Sequence, residues 1–248
     1  LKGGNNNIGY IRISAFNEKT SEKLFRELLN QKNALNSNIR GYILDLRRNP
    51  GGLLKQAIEV TNMFLDNGEI VSTKRPRFEG KVNSFGANRG DLLSGKPLII
   101  LVNGGSASAS EIVAGALQDH NRAIIIGTRT FGKGSVQTLY PINKNNLNFP
   151  NSKNLGALKL TTAEYYTPSG RSIQAEGIMP DFVIEQETTF DNNPDLYKVG
   201  ETQLSQFISK SDKDTNQSGS STYIPSDSKD DTQLNLAIEI MEKLLSRI

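Results

Sequence analysis

Pro97-Leu98-Ile99-Ile100-Leu101-Val102, followed by Asn103-Gly104-Gly105-Ser106-Ala107-Ser108-Ala109-Ser110-Glu111-Ile112, decides the fold. The run from Leu98 to Val102 is wholly aliphatic and has no polar face. A strand of that kind must be buried on both sides, which is how strands sit inside parallel sheets. Small residues then interrupt the run, and helical spacing takes over from about Ser108 to Asp119 before a further apolar strand, Ala123-Ile124-Ile125-Ile126. Strand, tight loop, helix and strand in that order form a βαβ unit.

Upstream the same rhythm repeats. Ile8 to Ile13 reads as a strand, and Thr20 or Ser21 caps an amphipathic helix carrying Leu24, Phe25, Leu28 and Leu29. Gly41 to Leu46 is a second short apolar run, broken by Asn49-Pro50-Gly51-Gly52. Helical spacing returns from Leu53 to Leu65 and Gly68 ends it, with Glu69 to Thr73 as another strand. The expected class is therefore α/β, a mostly parallel sheet with helices on both faces.

Downstream of Lys133 the texture changes. Ser135 to Ile142, Ala157 to Thr162 and Glu164 to Thr167 alternate as in a smaller antiparallel region, with Asn143 to Asn154 as a polar loop. Residues 1–187 are thus expected to form one core and 188–232 a flexible polar linker, too poor in apolar residues to offset its ordering entropy. Residues 233–248 form a terminal amphipathic helix with Leu234, Ala237, Ile238, Met241, Leu244 and Leu245 on one face. That face must cover something, either its own core or a second subunit.

Composition removes whole classes of function. With no Cys and one His in 248 residues, disulfide frameworks, thiolate metal sites, cysteine nucleophiles and most zinc sites are excluded. No metal or cofactor is expected. A net charge of +3, with basic residues scattered among acids, gives no reason to expect a nucleic-acid partner. No apolar run approaches the roughly 20 residues that span a bilayer.

The junction after Val102 is the densest candidate for chemistry. Unpaired N–H groups at a helix start stabilise negative charge, and a serine there is placed for attack with its oxyanion held by neighbouring amides. Ser106, Ser108 and Ser110 all qualify, and an ordinary capping serine is the plain alternative. His120 does not serve as their base, because twelve residues of helix separate it from Ser108 by roughly 18 Å. Its place at a helix end suits a structural role. Lys133, between Gly132 and Gly134 in a turn, is the other candidate base. A lysine acts as a base only when neutral, and a free one keeps its proton to about pH 10.4. The role therefore demands apolar surroundings, for which Phe131 and Val136 are the local signals.

Three stretches together carry a resemblance. They are Leu44 to Gly52 (LDLRRNPGG), Gly105 to Glu111 (GSASASE) and Thr130 to Gln137 (TFGKGSVQ). With Tyr165 to Gln174 and Gly177 to Asp181, they resemble the carboxy-terminal processing peptidases, or tail-specific proteases, over roughly residues 7–187. The resemblance implies a crotonase- and Clp-protease-like core and a serine endopeptidase with a Ser-Lys-Gln site. On that resemblance the enzyme is expected to act near unstructured C-terminal tails of proteins. In that family the serine precedes the lysine by 25 residues and the glutamine follows four later, which selects Ser108, Lys133 and Gln137. It further implies an oxyanion hole from the backbone N–H groups of Ala109 and Gly52, with Glu111 steadying the site. It also implies export to the periplasm or cell envelope, protein or peptide substrates, and a PDZ-like domain ahead of Ile8 that is not visible here. A homo-oligomer formed through the terminal helix is a further expectation. The alternatives are a catalytically silent or latent binding module on the same scaffold and a crotonase-like acyl-CoA enzyme.

Overall fold

The computed structural model describes residues 8–34, 38–74, 82–142, 156–186, 198–204 and 218–247. The main sheet has the order β1-β2-β5-β6-β9, with β1 Ile8–Arg12, β2 Gly41–Asp45, β5 Leu98–Val102, β6 Ile124–Gly127 and β9 Phe182–Val183. Every pairing in it is parallel. The helices are α1 Thr20–Ala34, α2 Leu54–Thr61, α3 Ala109–Asp119 and α4 Thr232–Leu245.

Alternation along the strands shows why continuous apolarity was needed. Tyr42 and Leu44 of β2, with Leu98, Ile100 and Val102 of β5, join Leu24, Val60, Ile112 and Val113 on the face covered by α1 to α3. Ile43, Ile99 and Leu101 point the other way and meet Leu234, Ala237, Met241 and Leu245 of α4. Burying each large aliphatic side chain contributes about 1.5–3 kcal/mol relative to exposure. The apolar face of α4 therefore packs on its own sheet.

A second sheet, of order β4-β3-β8-β7, is antiparallel throughout: β3 Gly68–Lys74, β4 Val82–Ala87, β7 Ser135–Pro141 and β8 Ala157–Tyr166. Three readings differ from this. The strand at Glu69–Thr73 leaves the parallel series for the second sheet, β4 had no sequence reading, and the two strands expected in 157–167 are one. The polar loop at 143–154 lies outside the described residues.

The stretch read as a linker is partly built into the fold. β10 (Lys198–Val199) pairs antiparallel with β11 (Ser220–Ser221), and a 3-10 turn covers Glu201–Gln203. Backbone bonding rather than apolar content holds them: Glu201 N–H donates to the Phe131 carbonyl at 2.9 Å, and Gly104 N–H to the Ser221 carbonyl at 3.0 Å. Within 188–232, residues 188–197 and 205–217 lie outside the described residues.

Candidate active site

Three loops meet at the C-terminal ends of the adjacent strands β2, β5 and β6, the usual location of sites in open parallel sheets. They are 46–53, 103–108 and 128–134.

In the second loop the structure separates the three serines. Ser106 is fully buried; its hydroxyl donates to the Leu46 carbonyl at 2.8 Å and accepts from Asn103 N–H at 3.0 Å. Ser110 is also buried and donates to the Asn49 carbonyl at 2.9 Å. Both hydroxyls are committed to holding loops together. Ser108 alone is partly exposed, directly before α3, with φ +53° and ψ −109°. A left-handed non-glycine residue between strand and helix is strained, and such strain clusters at functional sites. It resembles the sharp turn on which hydrolases raise a nucleophile.

Glu111 explains how that turn is held. Its carboxylate is fully buried and accepts four hydrogen bonds: from Ser108 N–H at 2.6 Å, the Thr130 hydroxyl at 2.6 Å, Gly132 N–H at 2.7 Å and Lys133 N–H at 2.9 Å. One side chain thus fastens the serine turn to the lysine turn. Burial drives its pKa up, the four donors pull it back, and the balance lies at about 7. Burial disfavours the charged form, whereas donors favour it.

The glycine loop lies against the start of α3. A Cβ placed on Gly51 would come within 2.9 Å of Ala109 N and of Ser108 Cβ. Gly52, at φ +146°, runs beside Phe16, whose carbonyl accepts from Leu53 N–H at 2.9 Å and lies 2.0 Å from where a Gly52 Cβ would be. Only glycine fits there. Among the described residues, neither Gly52 N–H nor Ala109 N–H has an acceptor. Ala109 N–H adjoins the partly exposed Ser108 and Gly52 follows the glycine that packs on it, and free donors so placed suit a developing oxyanion.

Lys133 is half-buried in its glycine turn, with Gly134 N–H donating to Gln174 Oε1 at 3.0 Å. Gln137 is not brought to the Glu111 cluster. It is exposed on β7, just past a register shift against β8 between Val136 and Gln137. His120 ends α3, its Nε2 2.6 Å from the Glu69 carbonyl, in a structural place. Among the described residues no group of three or more His, Asp or Glu is arranged to hold a metal, and no helix is long and apolar enough to cross a membrane.

Asp231 caps α4, as the sequence Asp230-Asp231-Thr232 suggests, but sequence reasoning missed its buried ion cluster with Arg47 and Asp45, next to the glycine loop in the chain. Charged residues next to a strand end give no signal of burial in sequence, and Asp231 lies far along the chain. Thr130 was also missed, because its role depends on the folded position of Glu111.

Comparison with known proteins agrees with the geometry. A family model described as peptidase family S41 matches residues 7–184. A carboxy-terminal-processing protease of Bartonella bacilliformis is 51% identical over 240 residues, covering 94% of this chain and 52% of that protein. A carboxyl-terminal-processing protease of Synechocystis is 42% identical over 180 residues, covering 72% of this chain and 38% of that one. Among solved structures, a photosystem II D1 C-terminal processing protease matches with TM-score 0.60 and 32% identity, over 72% of this chain and 42% of that one. The chain spans about half the length of the Bartonella relative, and less of the other two.

Proposed function

The chain belongs to peptidase family S41, and from that premise we propose that it is a serine endopeptidase acting near unstructured C-terminal tails of proteins. The single observation that carries this reading is the Glu111 carboxylate, which accepts from the main chain of both Ser108 and Lys133 and so holds nucleophile and base turns together.

In the proposed mechanism Ser108 Oγ attacks the scissile carbonyl carbon as the neutral Lys133 amine takes the hydroxyl proton. Negative charge developing on the carbonyl oxygen falls to Ala109 N–H, at the positive end of α3, and to Gly52 N–H. Collapse breaks the C–N bond, and Lys133 returns its proton to the leaving amine. Water then repeats the sequence on the acyl-enzyme, with Lys133 again as base. Gln137 orients the lysine amine once it reaches it. Location in the periplasm or cell envelope, and a PDZ-like partner domain, belong to the same proposal and rest on the family resemblance.

Gln137 favours a second reading in one respect. Its exposed position apart from the Glu111 cluster fits a latent site, complete only after β7 shifts.

The test is a fluorophosphonate probe together with cleavage of an unstructured peptide. Labelling and cleavage that vanish in Ser108→Ala support the peptidase. Labelling that persists in that variant overturns Ser108 as nucleophile, and a folded protein with neither activity favours the latent reading.

A further inference from the structure

Beneath the glycine loop, Arg47 is 1% exposed and every N–H of its guanidinium is directed at an acceptor. Nε and Nη2 donate to Asp45 at 3.1 and 2.8 Å; Nη1 and Nη2 donate to Asp231 at 2.7 and 2.8 Å; Nη1 also reaches Gln233 Oε1 at 3.2 Å. Asp231 is the N-cap of α4, accepting from Leu234 N–H at 3.0 Å. Burial works to lower the Arg47 pKa, but bonds to Asp231 and Asp45 outweigh it and hold the value above the ordinary one. The guanidinium therefore stays charged.

From Arg47 the chain runs straight into the candidate oxyanion loop, and Arg48, Asn49 and Gly51 are pinned. Arg48, at φ +55°, donates its N–H to Asn103 Oδ1 at 2.9 Å. The Asn49 carbonyl accepts from Ala107 N–H at 2.9 Å and from Ser110, while Asn49 Oδ1 accepts from Gly51 N–H at 2.9 Å. Arg47 is thus connected along the main chain to Gly52 and, through Asn49, to the start of α3 beside Ser108.

Docking α4 does not require these charges, because Leu234, Ala237, Met241 and Leu245 already seat it on the sheet. Two carboxylates and one guanidinium withdrawn from water gain little net stability over apolar residues of like size. A planar fork gripped on two sides does fix one orientation. We propose that Asp231 is a positioning residue for this active site, acting through Arg47 to hold the loop that carries Gly52. The inference rests on the peptidase reading above. The C-terminal helix, on this view, sets the geometry of the oxyanion donors as well as covering the sheet.

The experiment compares the full protein with Asp231→Asn, Arg47→Lys and Leu245→Ala, the last lying at the far end of α4. Folding is followed by thermal unfolding, peptide cleavage by kcat and KM separately, and backbone order by hydrogen exchange. For folded Asp231→Asn and Arg47→Lys, kcat is expected to fall about tenfold or more with KM changed less than about twofold, the pattern of a misplaced reacting group. Amide exchange in residues 48–53 rises while that of β5 does not. Leu245→Ala lowers the melting temperature and leaves kcat intact. Should Asp231→Asn fail to fold, Asp231→Glu, which keeps the charge but displaces it by a methylene, is judged by the same measures. Unchanged kcat and unchanged exchange in a folded Asp231 variant overturn the proposal. If the parent protein cleaves nothing, the active-peptidase reading gives way to the latent one, and hydrogen exchange alone still decides whether Asp231 orders the loop.

Discussion

Glu111 and Lys133 meet through the main chain: Oε2 of the carboxylate accepts the Lys133 backbone N–H at 2.9 Å. The acid therefore places the turn on which the lysine stands. Its four acceptor positions are matched by four donors, and protonation makes one oxygen a donor that faces another donor.

Burial of the carboxyl and the match to its donors predict opposite effects of pH, the first on stability and the second on activity. The folded-state pKa of Glu111 is raised to about 7, well above the ordinary carboxyl value, so the folded state binds the proton more readily than the unfolded one. Stability falls with rising pH wherever the native state holds more protons. The Glu111 contribution is thus most favourable below about pH 4.5 and is lost as pH climbs to about 7. Activity runs the other way, because only the carboxylate holds both turns. Urea unfolding and kcat across this range, in wild type and Glu111→Gln, check both. Glu111→Gln flattens the stability difference and lowers kcat at every pH, since its amide nitrogen confronts at least one backbone donor in either orientation.

The serines should separate into chemistry and architecture. Ser108→Ala abolishes peptide cleavage with little change in melting temperature. Ser106→Ala strands the buried Asn103 N–H, a loss of a kind that costs about 1–3 kcal/mol, whereas Ser110→Ala costs less because the Asn49 carbonyl keeps its bond from Ala107 N–H. Both retain turnover per folded molecule, measured by active-site titration against denaturant midpoint. A dead but stable Ser106→Ala would move the nucleophile.

Much of this was legible in the sequence because it follows from local pattern. The unbroken aliphatic run at Leu98–Val102 could only be an inner parallel strand, and the small residues after it placed the site. The three serines were indistinguishable there, since which hydroxyl is buried depends on where the Leu46 and Asn49 carbonyls fall in space. β10 and β11 were invisible for a related reason. They are two residues each and held by pairing with one another and by backbone bonds, Gly104 N–H to Ser221 and the neighbouring Glu201 N–H to Phe131, rather than by an apolar face. The Asp45–Arg47–Asp231 cluster joins residues from opposite ends of the chain, and no local periodicity encodes such a contact.

Lys133→Arg keeps a positive charge on the same turn and should leave folding unchanged, because the Glu111 bond is to the backbone. Arginine does not lose its proton in the working pH range, so cleavage should vanish. Gln137→Ala tests the distance seen on β7. If Gln137 joins the site only after substrate arrives, its loss lowers kcat while the rate of fluorophosphonate labelling in resting enzyme stays within about twofold. Equal losses in both assays would place it in the resting site.

The glycine loop allows the oxyanion donors to be tested without touching Ser108. In Gly52→Ala the new methyl would sit 2.0 Å from the Phe16 carbonyl oxygen and 2.8 Å from its carbon, at φ +146°. Backbone must move, and the Leu53–Phe16 bond at 2.9 Å is the contact it strains. Gly52 N–H then shifts relative to Ala109 N–H. Losing one oxyanion donor commonly costs about 10²–10³ in kcat, so a drop of that order is expected with KM largely retained. Backbone strain alone is controlled by Gly95→Ala, at φ +76° with nothing within 4 Å of the added methyl. That variant loses stability, by more than about 0.4–1 kcal/mol, because alanine is costly at positive φ. Its kcat should match wild type. Equal kcat in Gly52→Ala and wild type, with both folded, would remove Gly52 from the oxyanion site and leave Ala109 N–H to be paired with another donor.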